Sequence, residues 1–409
     1  MFSVDNFYEF LNSHYGWDKT NIMPWKFKVH GSRDFKNLQA CYNNREFHSR
    51  LYYWGTGGSM ILHDQEPFSA NLLDTYKHTR YIQKNHAMWQ EMSRQEFLLI
   101  DPMYTCSWPI FCHSEHNSRD IKYVQHTGMV DCYYFWHGLV ARDWFRHWKH
   151  HADIVAPRRD WHKRFLLYAR DHTGTREYRQ QLVTELQHMQ DQVEYNWSGI
   201  EQVDSDHSAK INVEDAVNTA VHLVAETIYD QKKVHLTEKI FKPIVMNQPF
   251  VVFAGAGALQ YLKSYGFRTF DSVWDESYDQ ATDHDERFNK IMSVIKTLHT
   301  QTPEQFANTM QQCQAIVEHN RQHFFSETFE QIMLDEFHRN MVTSIDQQRR
   351  LTVEDPGGSL FHHANALKQR NVKLNWVLAS RITGTARRMK QHQPERYQLI
   401  RKQYPWLPA

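Results

Sequence analysis

An acid, a hydroxyl and basic side chains lie close together in the stretch 220–254. Glu226 follows an apolar run rich in β-branched residues, and Thr237-Glu238-Lys239 come after a short polar loop. The apolar run predicts a buried strand, and Thr237 is a suitable N-cap for a helix that reaches about Met246. Open α/β sheets bind ligands where a strand ends beside a helix N-terminus, whose free N–H groups suit a diphosphate. The stretch therefore predicts a diphosphate-binding site.

The same residues resemble a known pattern. Glu226, Thr237-Glu238-Lys239, Lys242-Pro243 and Pro249-Phe250 are similar to the donor-binding segment of the α-1,3-fucosyltransferases and related exostosin-like glycosyltransferases. Two further segments, 266–270 and 275–279, extend the resemblance towards phage and bacterial glycosyltransferase-like proteins. The resemblance implies the GT-B architecture, in which two Rossmann-like domains face each other across a cleft. It also implies a nucleotide-sugar as donor substrate, and we expect a UDP- or GDP-sugar.

A nucleotide-sugar needs positive charge near its phosphates and hydrogen bonds to its sugars. Thr237 can donate to a phosphate, and Glu238 can accept from two ribose hydroxyls. Four basic side chains can neutralise the departing diphosphate: Lys239, Lys242, Arg170 and Arg176. Charge-assisted hydrogen bonds of this kind contribute about 1.5–3 kcal/mol each. The resemblance assigns diphosphate contact to Arg170, and Glu226 would contact hydroxyls of the transferred sugar.

Transfer with inversion also requires a general base that accepts the proton of the acceptor hydroxyl. We expect this base in the first domain, with Glu66 as first choice and Asp64 as second, in the acidic loop after a strand at Ser59–His63. An acidic turn that ends at Pro67 explains the same loop without catalysis. His137 and Glu115 also follow predicted strands and are further candidates on the acceptor side.

No metal ligand set stands out in the sequence. Asp204-Ser205-Asp206 has the spacing of the DxD motif of metal-dependent glycosyltransferases, but it lies in a polar loop and is interpreted as a solvated turn. The histidines are dispersed and form no HExxH motif. We therefore predict no required cofactor, because a helix dipole and basic side chains can stabilise the leaving diphosphate.

The elements that position these residues read as alternating strands and helices, which predicts parallel Rossmann-like sheets. In the first half, strands are predicted at Ser59–His63, Phe97–Ile100, Ile110–Cys112, Tyr133–Trp136 and Ala152–Val155. In the second half, strands are predicted at Arg164–Ala169, Val193–Asn196, Ala220–Ala225 and Phe250–Ala254, and helices at 175–188 and 237–246. Residues 285–340 are predicted to be helical, with a new helix that begins at Pro303 and reaches about Asn340. The predicted domains are an acceptor domain (1–157), a donor domain (158–345) and a basic helical tail (346–409).

The composition and the cysteine content indicate a folded protein and the kind of compartment in which it is expected. Of 409 residues, 41% are hydrophobic and 14% aromatic, which is enough to build folded cores. The five cysteines are an odd number without a CxxC pair, which favours a reducing compartment. The amino terminus lacks the pattern of a signal peptide, and no apolar run is long enough to span a membrane. We therefore expect a cytoplasmic protein with no membrane span.

Two questions remain open from the sequence. The acceptor is either a carbohydrate or a hydroxymethylated base in DNA. The basic tail is either a solvated helical pair that packs back on the first domain or a surface for a polyanion such as DNA. The competing class of function is a binding module with a GT-B-like fold that recognises a nucleotide-sugar or a polyanionic partner without turnover.

Overall fold

The protein is described from a computed structural model. The residues that it describes are 25–30, 59–64, 110–118, 121, 130–151, 161–169, 172, 174–196, 210–229, 233–354, 358–369, 371, 374 and 376–408. The chain forms two compact units, one within 3–134 and 336–409 and the other within 135–335. Each unit contains a four-stranded parallel sheet.

The sheet of the first unit has the strand order β1-β2-β3-β4, and every neighbouring pair is parallel. Its strands are β1 (Trp25–His30), β2 (Ser59–Asp64), β3 (Ile110–His113) and β4 (Val130–Tyr133). Cys112 and Cys132 face each other in the register of β3 and β4, and both are buried and reduced.

The sheet of the second unit has the order β6-β5-β7-β8, again with parallel pairs. Its strands are β5 (Lys163–Tyr168), β6 (Val193–Asn196), β7 (Thr219–Ala225) and β8 (Phe250–Phe253). All seven residues of β7 are buried, as expected for an inner strand of a parallel sheet. The chain runs from β5 outward to β6 and then returns past β5 to β7, so the order reverses between β5 and β7. Ligands of open α/β sheets bind outside the carboxyl ends at such a point.

Eleven α-helices accompany the two sheets in the described part of the chain. They are α1 (Trp136–Trp144), α2 (Tyr178–Leu186), α3 (Val213–Asn218), α4 (Glu238–Val245), α5 (Ala258–Ser264), α6 (His284–Thr300), α7 (Pro303–Phe324), α8 (Glu327–Glu354), α9 (Gly358–Gln369), α10 (Trp376–His392) and α11 (Pro394–Gln403). An aromatic core joins α4 to α7 and α8, since the Phe241 ring lies 5.4 Å from that of Phe324 and 6.0 Å from that of Phe329.

Local sequence signals placed several elements closely and two of them wrongly. The strand predicted at Tyr133–Trp136 lies earlier, at Val130–Tyr133, and α1 already begins at Trp136. The aromatic run favoured a strand, but Phe135 packs as part of the helical core, with its ring 4.5 Å from that of Tyr265. The strands predicted at 97–100 and 152–155 lie outside the described residues.

The long helix predicted from Pro303 is two helices, because the chain breaks at Phe325 and Ser326. The Ser326 hydroxyl accepts a hydrogen bond from the backbone N–H of Phe329 and so caps the start of α8. The Arg142 guanidinium donates to the carbonyl groups of Phe325 and Ser326 at this break.

The boundaries between the two compact units lie at 134/135 and 335/336 in the chain. The boundaries predicted from the sequence lie at 157/158 and 345/346. The difference at the first boundary follows from α1. Phe135 at its start packs on the rings of Phe241 and Tyr261, and Arg142 near its end binds the start of α8.

The observed fold is a mixed α/β fold with parallel sheets, which confirms this part of the prediction. The GT-B arrangement of two facing domains stays a prediction. No helix in the part of the chain that the structure describes is both long and apolar enough to cross a lipid bilayer.

Candidate functional site

Glu226 directly follows β7 and is completely buried. One carboxylate oxygen accepts a hydrogen bond from the backbone N–H of Thr237 at 3.0 Å. The other accepts from the Thr237 hydroxyl at 2.6 Å and from the backbone N–H of Thr227 at 3.3 Å. The strand end and the start of α4 are therefore joined directly, whereas the sequence predicted only that they lie beside each other.

Thr237 is the N-cap of α4, as predicted. Its backbone is extended, and its hydroxyl oxygen accepts a hydrogen bond from the backbone N–H of Lys239. Because the hydroxyl proton is directed to Glu226, this side chain holds the helix start rather than presenting a free donor to a phosphate. The observed geometry thus differs from the role expected of Thr237.

The Lys239 ammonium group lies at the centre of the same cluster. It donates to the hydroxyl of Thr237 at 3.0 Å, to the carboxylate of Glu238 at 3.1 Å and to the hydroxyl of Thr227 at 3.4 Å. Its side chain is 31% exposed, and the ammonium lies beside the helix N-terminus. A partly exposed cation at a helix start is well suited to an anionic ligand.

The two glutamates of the cluster have opposite protonation behaviour. Burial raises the pKa of Glu226, and the positive charge of Lys239 only partly offsets it. Burial also acts to raise the pKa of Glu238, but the positive charges of Lys239, His137 and Lys242 outweigh it and lower the pKa to about 2. Glu238 is therefore a stable carboxylate that can accept hydrogen bonds at any physiological pH.

His137 adds a further polar group from α1. Its Nδ1 atom lies 4.0 Å from a carboxylate oxygen of Glu238, and its ring meets that of His235 edge to face at 4.8 Å. The sequence analysis placed His137 on the acceptor side, apart from the donor residues. The structure instead places it in the second unit and against Glu238.

The first turn of α2 supplies two contacts that the sequence analysis missed. The Tyr178 hydroxyl donates to the backbone carbonyl of Glu226 at 2.6 Å. The Arg179 guanidinium donates to the carbonyls of Ala225 and Glu226 at 2.7 and 3.1 Å. These two buried side chains fix the backbone at the carboxyl end of β7. No local signal in the sequence indicates these contacts, because they depend on the pairing of β5 with β7.

Arg176 lies beside this contact. Burial raises the pKa of Tyr178 to about 12, although the nearby charges of Arg179 and Arg176 act in the opposite direction. Arg176 precedes α2 and is half-buried, so the structure keeps it near the strand end that carries Glu226.

Lys242 is one turn further along α4, and its ammonium group forms its hydrogen bond outside the cluster of Glu226, Thr237, Glu238 and Lys239. Its ammonium group donates to the Lys210 carbonyl at 2.8 Å and lies 5.9 Å from the centre of the Tyr168 ring. Its charge still reaches Glu238, whose pKa it lowers. Lys242 therefore contributes to the electrostatic field of the site without joining the hydrogen-bonded cluster.

The other predicted residues lie outside this cluster. Glu66, Arg170 and the DxD segment 204–206 lie outside the described residues, and Asp64 is the last residue of β2, paired in register with His30. Glu115 is buried in the first unit just after β3, where its backbone N–H donates to Nδ1 of His113. His113 also binds the Asp131 carboxylate, so it is held as a structural side chain.

Asp279 is a further acid at the carboxyl edge of the second sheet that the sequence analysis did not assign. Its carboxylate accepts from the backbone N–H groups of Leu259 and Gln260 at 2.8 and 3.1 Å. Because Asp279 already satisfies the N-terminus of α5, the start of α4 is the better anion site of the two.

Among the described residues, no three histidine, cysteine, aspartate or glutamate side chains form a group that could hold a metal ion. The predicted independence from metal stays a prediction. No protein-family model, no curated protein and no solved structure matches this chain. The chemistry of the site is therefore inferred from its own residues.

Proposed function

We propose that the protein is a glycosyltransferase that moves a sugar from a nucleoside-diphosphate sugar to an acceptor hydroxyl. The observation that carries the proposal is the cluster of Glu226, Thr237, Glu238 and Lys239 beside the point where the strand order of the second sheet reverses. This position combines a carboxylate, a cation and a helix start, which are the groups that a nucleotide-sugar requires.

The geometry refines the role of each residue in the proposal. Lys239 contacts the diphosphate, because its side chain is a partly exposed cation at the start of α4. Glu238 accepts hydrogen bonds from the ribose, since it remains ionised. Glu226 and Thr237 hold these two residues in place, because they are hydrogen-bonded to each other.

The proposed reaction forms a bond between the acceptor oxygen and the anomeric carbon of the sugar. The bond from that carbon to the diphosphate breaks, and the electron pair leaves with the nucleoside diphosphate. A general base takes the acceptor proton. Glu66 and Asp64 remain the predicted bases, and Glu115 is the acceptor-side candidate whose surroundings the structure describes. Inversion and independence from metal remain part of the proposal, and the acceptor is a carbohydrate or a modified base in DNA.

The first test is a thermal-unfolding panel with UDP-, GDP-, TDP- and CMP-sugars. A ligand present at one hundred times its Kd stabilises the native state by about 2.7 kcal/mol, so a true sugar donor should raise Tm clearly. The second measurement is release of the nucleoside diphosphate in the presence of that sugar donor. Binding without release would favour the non-catalytic module, and the absence of any shift would contradict both functions.

The matched variants are Glu238→Gln and Glu214→Gln. Both residues stand in the first turn of a helix behind a side-chain N-cap, but Glu214 is exposed and belongs to α3. We expect Glu238→Gln to abolish the shift given by the sugar donor and Glu214→Gln to preserve it. Equal shifts in the two variants would remove Glu238 from the proposed site.

A further inference from the structure

Positive charge is concentrated at the carboxyl-terminal end of the chain. Residues 359–409 contain ten lysine and arginine residues and a single acid, Glu395. The whole chain contains 47 basic and 47 acidic residues, which leaves 37 basic and 46 acidic residues in 1–358. The net charge of zero thus results from two segments of opposite charge, and such asymmetry is typical of chains that bind a polyanion.

Helices α10 and α11 each bury an apolar side. Their buried side chains are Ile382, Ala386, Met389, Tyr397 and Ile400. The exposed side of α10 is basic, whereas that of α11 carries Lys402 together with the acid Glu395. The basic residues on the other side are exposed to solvent: Arg387, Arg388 and Lys390 on α10, and Lys402 on α11. These four residues are called the basic face below.

In the part of the chain that the structure describes, no carboxylate forms an ion pair with Arg387, Arg388 or Lys402. Exposed lysines of the second unit do have such partners, as Lys290 with Glu286 and Lys296 with Glu185 show. Lys390 lies in the last turn of α10, where the negative end of the helix dipole stabilises its positive charge. Arg387 and Arg388 precede that turn and gain less from the dipole.

We propose that the basic face binds the phosphodiester backbone of nucleic acid. Neighbouring arginines repel each other, and a row of phosphates relieves that repulsion while it releases counterions. The exposed neighbours on α10 include Gln391, whose side chain can donate to a phosphate oxygen.

A lipid surface fits these helices less well than nucleic acid. Membrane-bound helices insert large apolar side chains beside their basic residues. The described solvent-facing positions of α10 carry no large apolar side chain, and Leu399 on α11 is the single one exposed in the described part of α10 and α11. The basic face therefore resembles a surface that contacts a charged backbone without insertion.

The test measures binding of the full chain to a labelled duplex DNA of about 30 base pairs by fluorescence anisotropy, from about 50 to about 200 mM salt. The test variant combines Arg387→Ala, Arg388→Ala and Lys402→Ala. Each phosphate contact contributes about 0.9 to the slope of log affinity against log salt, so we expect this slope to fall by about 3 and the affinity by about tenfold or more.

Two controls separate this effect from charge and folding. The first combines Lys263→Ala, Lys290→Ala and Lys296→Ala, which removes the same charge from the second unit and should preserve binding. The second combines Arg387→Lys and Arg388→Lys, which should preserve the salt slope because the charge remains.

Three results would overturn the proposal. They are an unchanged salt slope in the triple variant of the basic face, no binding of the full chain to DNA at low salt, and binding to phosphatidylserine vesicles without binding to DNA. The inference does not depend on the proposed glycosyl transfer, since α10 and α11 contribute nothing to the cluster at Glu226. Thermal shifts with nucleotide-sugars test that cluster separately.

Discussion

The Glu226 carboxylate binds Thr237 twice, through the backbone N–H at 3.0 Å and through the hydroxyl at 2.6 Å. These two residues join the end of an inner strand to the start of a helix. The contact is buried, so the position of the helix start relative to the sheet depends on it. Lys239 and Glu238, which follow Thr237 directly, are positioned by the same pair.

We first predict that Thr237→Val destabilises the protein by about 2–4 kcal/mol. The variant removes an N-cap, and it also leaves a buried carboxylate oxygen of Glu226 without its hydroxyl donor. The matched control is Thr302→Val, because Thr302 is the exposed N-cap of α7. Its replacement should lower the free energy of unfolding by only about 1 kcal/mol. Urea unfolding measures both, and equal losses would show that the contact with Glu226 contributes nothing.

The second prediction concerns Lys239. The Lys239→Met variant has no ammonium group. It should bind the sugar donor about tenfold or more weakly, because one charge-assisted hydrogen bond is lost. Lys263→Met is the control, since Lys263 on α5 pairs with the exposed Asp271. Calorimetric titration with the sugar donor found in the thermal panel measures the effect. Unchanged affinity in Lys239→Met would assign Lys239 to stability alone.

The site shows which features a sequence can predict. β7 and α4 were placed to within about two residues, because a β-branched apolar run and an N-cap threonine are local signals. The order along the chain also predicted that Glu226 faces the start of α4, but not that Glu226 and Thr237 bind each other. In contrast, the contacts of Tyr178 and Arg179 depend on the pairing of β5 with β7, which brings distant segments together and leaves no local signal. The same holds for His137, whose neighbour Glu238 is far away in the sequence.

The third prediction tests the contact that the sequence did not reveal. Arg179→Lys keeps the positive charge but cannot donate in the same way to the carbonyls of Ala225 and Glu226. We expect a loss of about 1.5–3 kcal/mol in the free energy of unfolding. The control Arg268→Lys changes an exposed arginine and should stay within about 0.5 kcal/mol of the unchanged protein. Equal stability of both variants would contradict the structural role of Arg179.

The fourth prediction concerns Gly266, which has a positive φ of 91°. A Cβ atom at this position would lie 2.7 Å from the His323 ring, whose Nε2 atom bonds the Tyr265 carbonyl. Gly174 also has a positive φ, of 58°, but a Cβ atom there would meet nothing within 4 Å. We therefore expect Gly266→Ala to cost about 2–4 kcal/mol and Gly174→Ala about 1 kcal/mol, as measured by urea unfolding.

The last prediction concerns the dependence of stability on pH. The Glu276 carboxylate accepts hydrogen bonds from the backbone N–H of Phe270 and from the hydroxyl of Thr269. Burial nevertheless raises the pKa of Glu276 from its ordinary value of 4.5 to about 7. Between these two values the native state binds more protons than the unfolded state. The free energy of unfolding therefore falls as the pH rises through this window and loses no more above it.

Replacement by an amide removes this titration. The oxygen of Glu276→Gln can still accept from Phe270, and its NH2 group can donate to the Thr269 hydroxyl oxygen. Relative to the unchanged protein, the variant should therefore gain roughly 2–3 kcal/mol between pH 4.5 and pH 8, because one pKa unit corresponds to about 1.4 kcal/mol. Glu286→Gln is the control, since Glu286 is exposed and paired with Lys290. Urea unfolding at several pH values measures the difference, and parallel profiles for the protein and Glu276→Gln would show that this carboxyl group titrates normally.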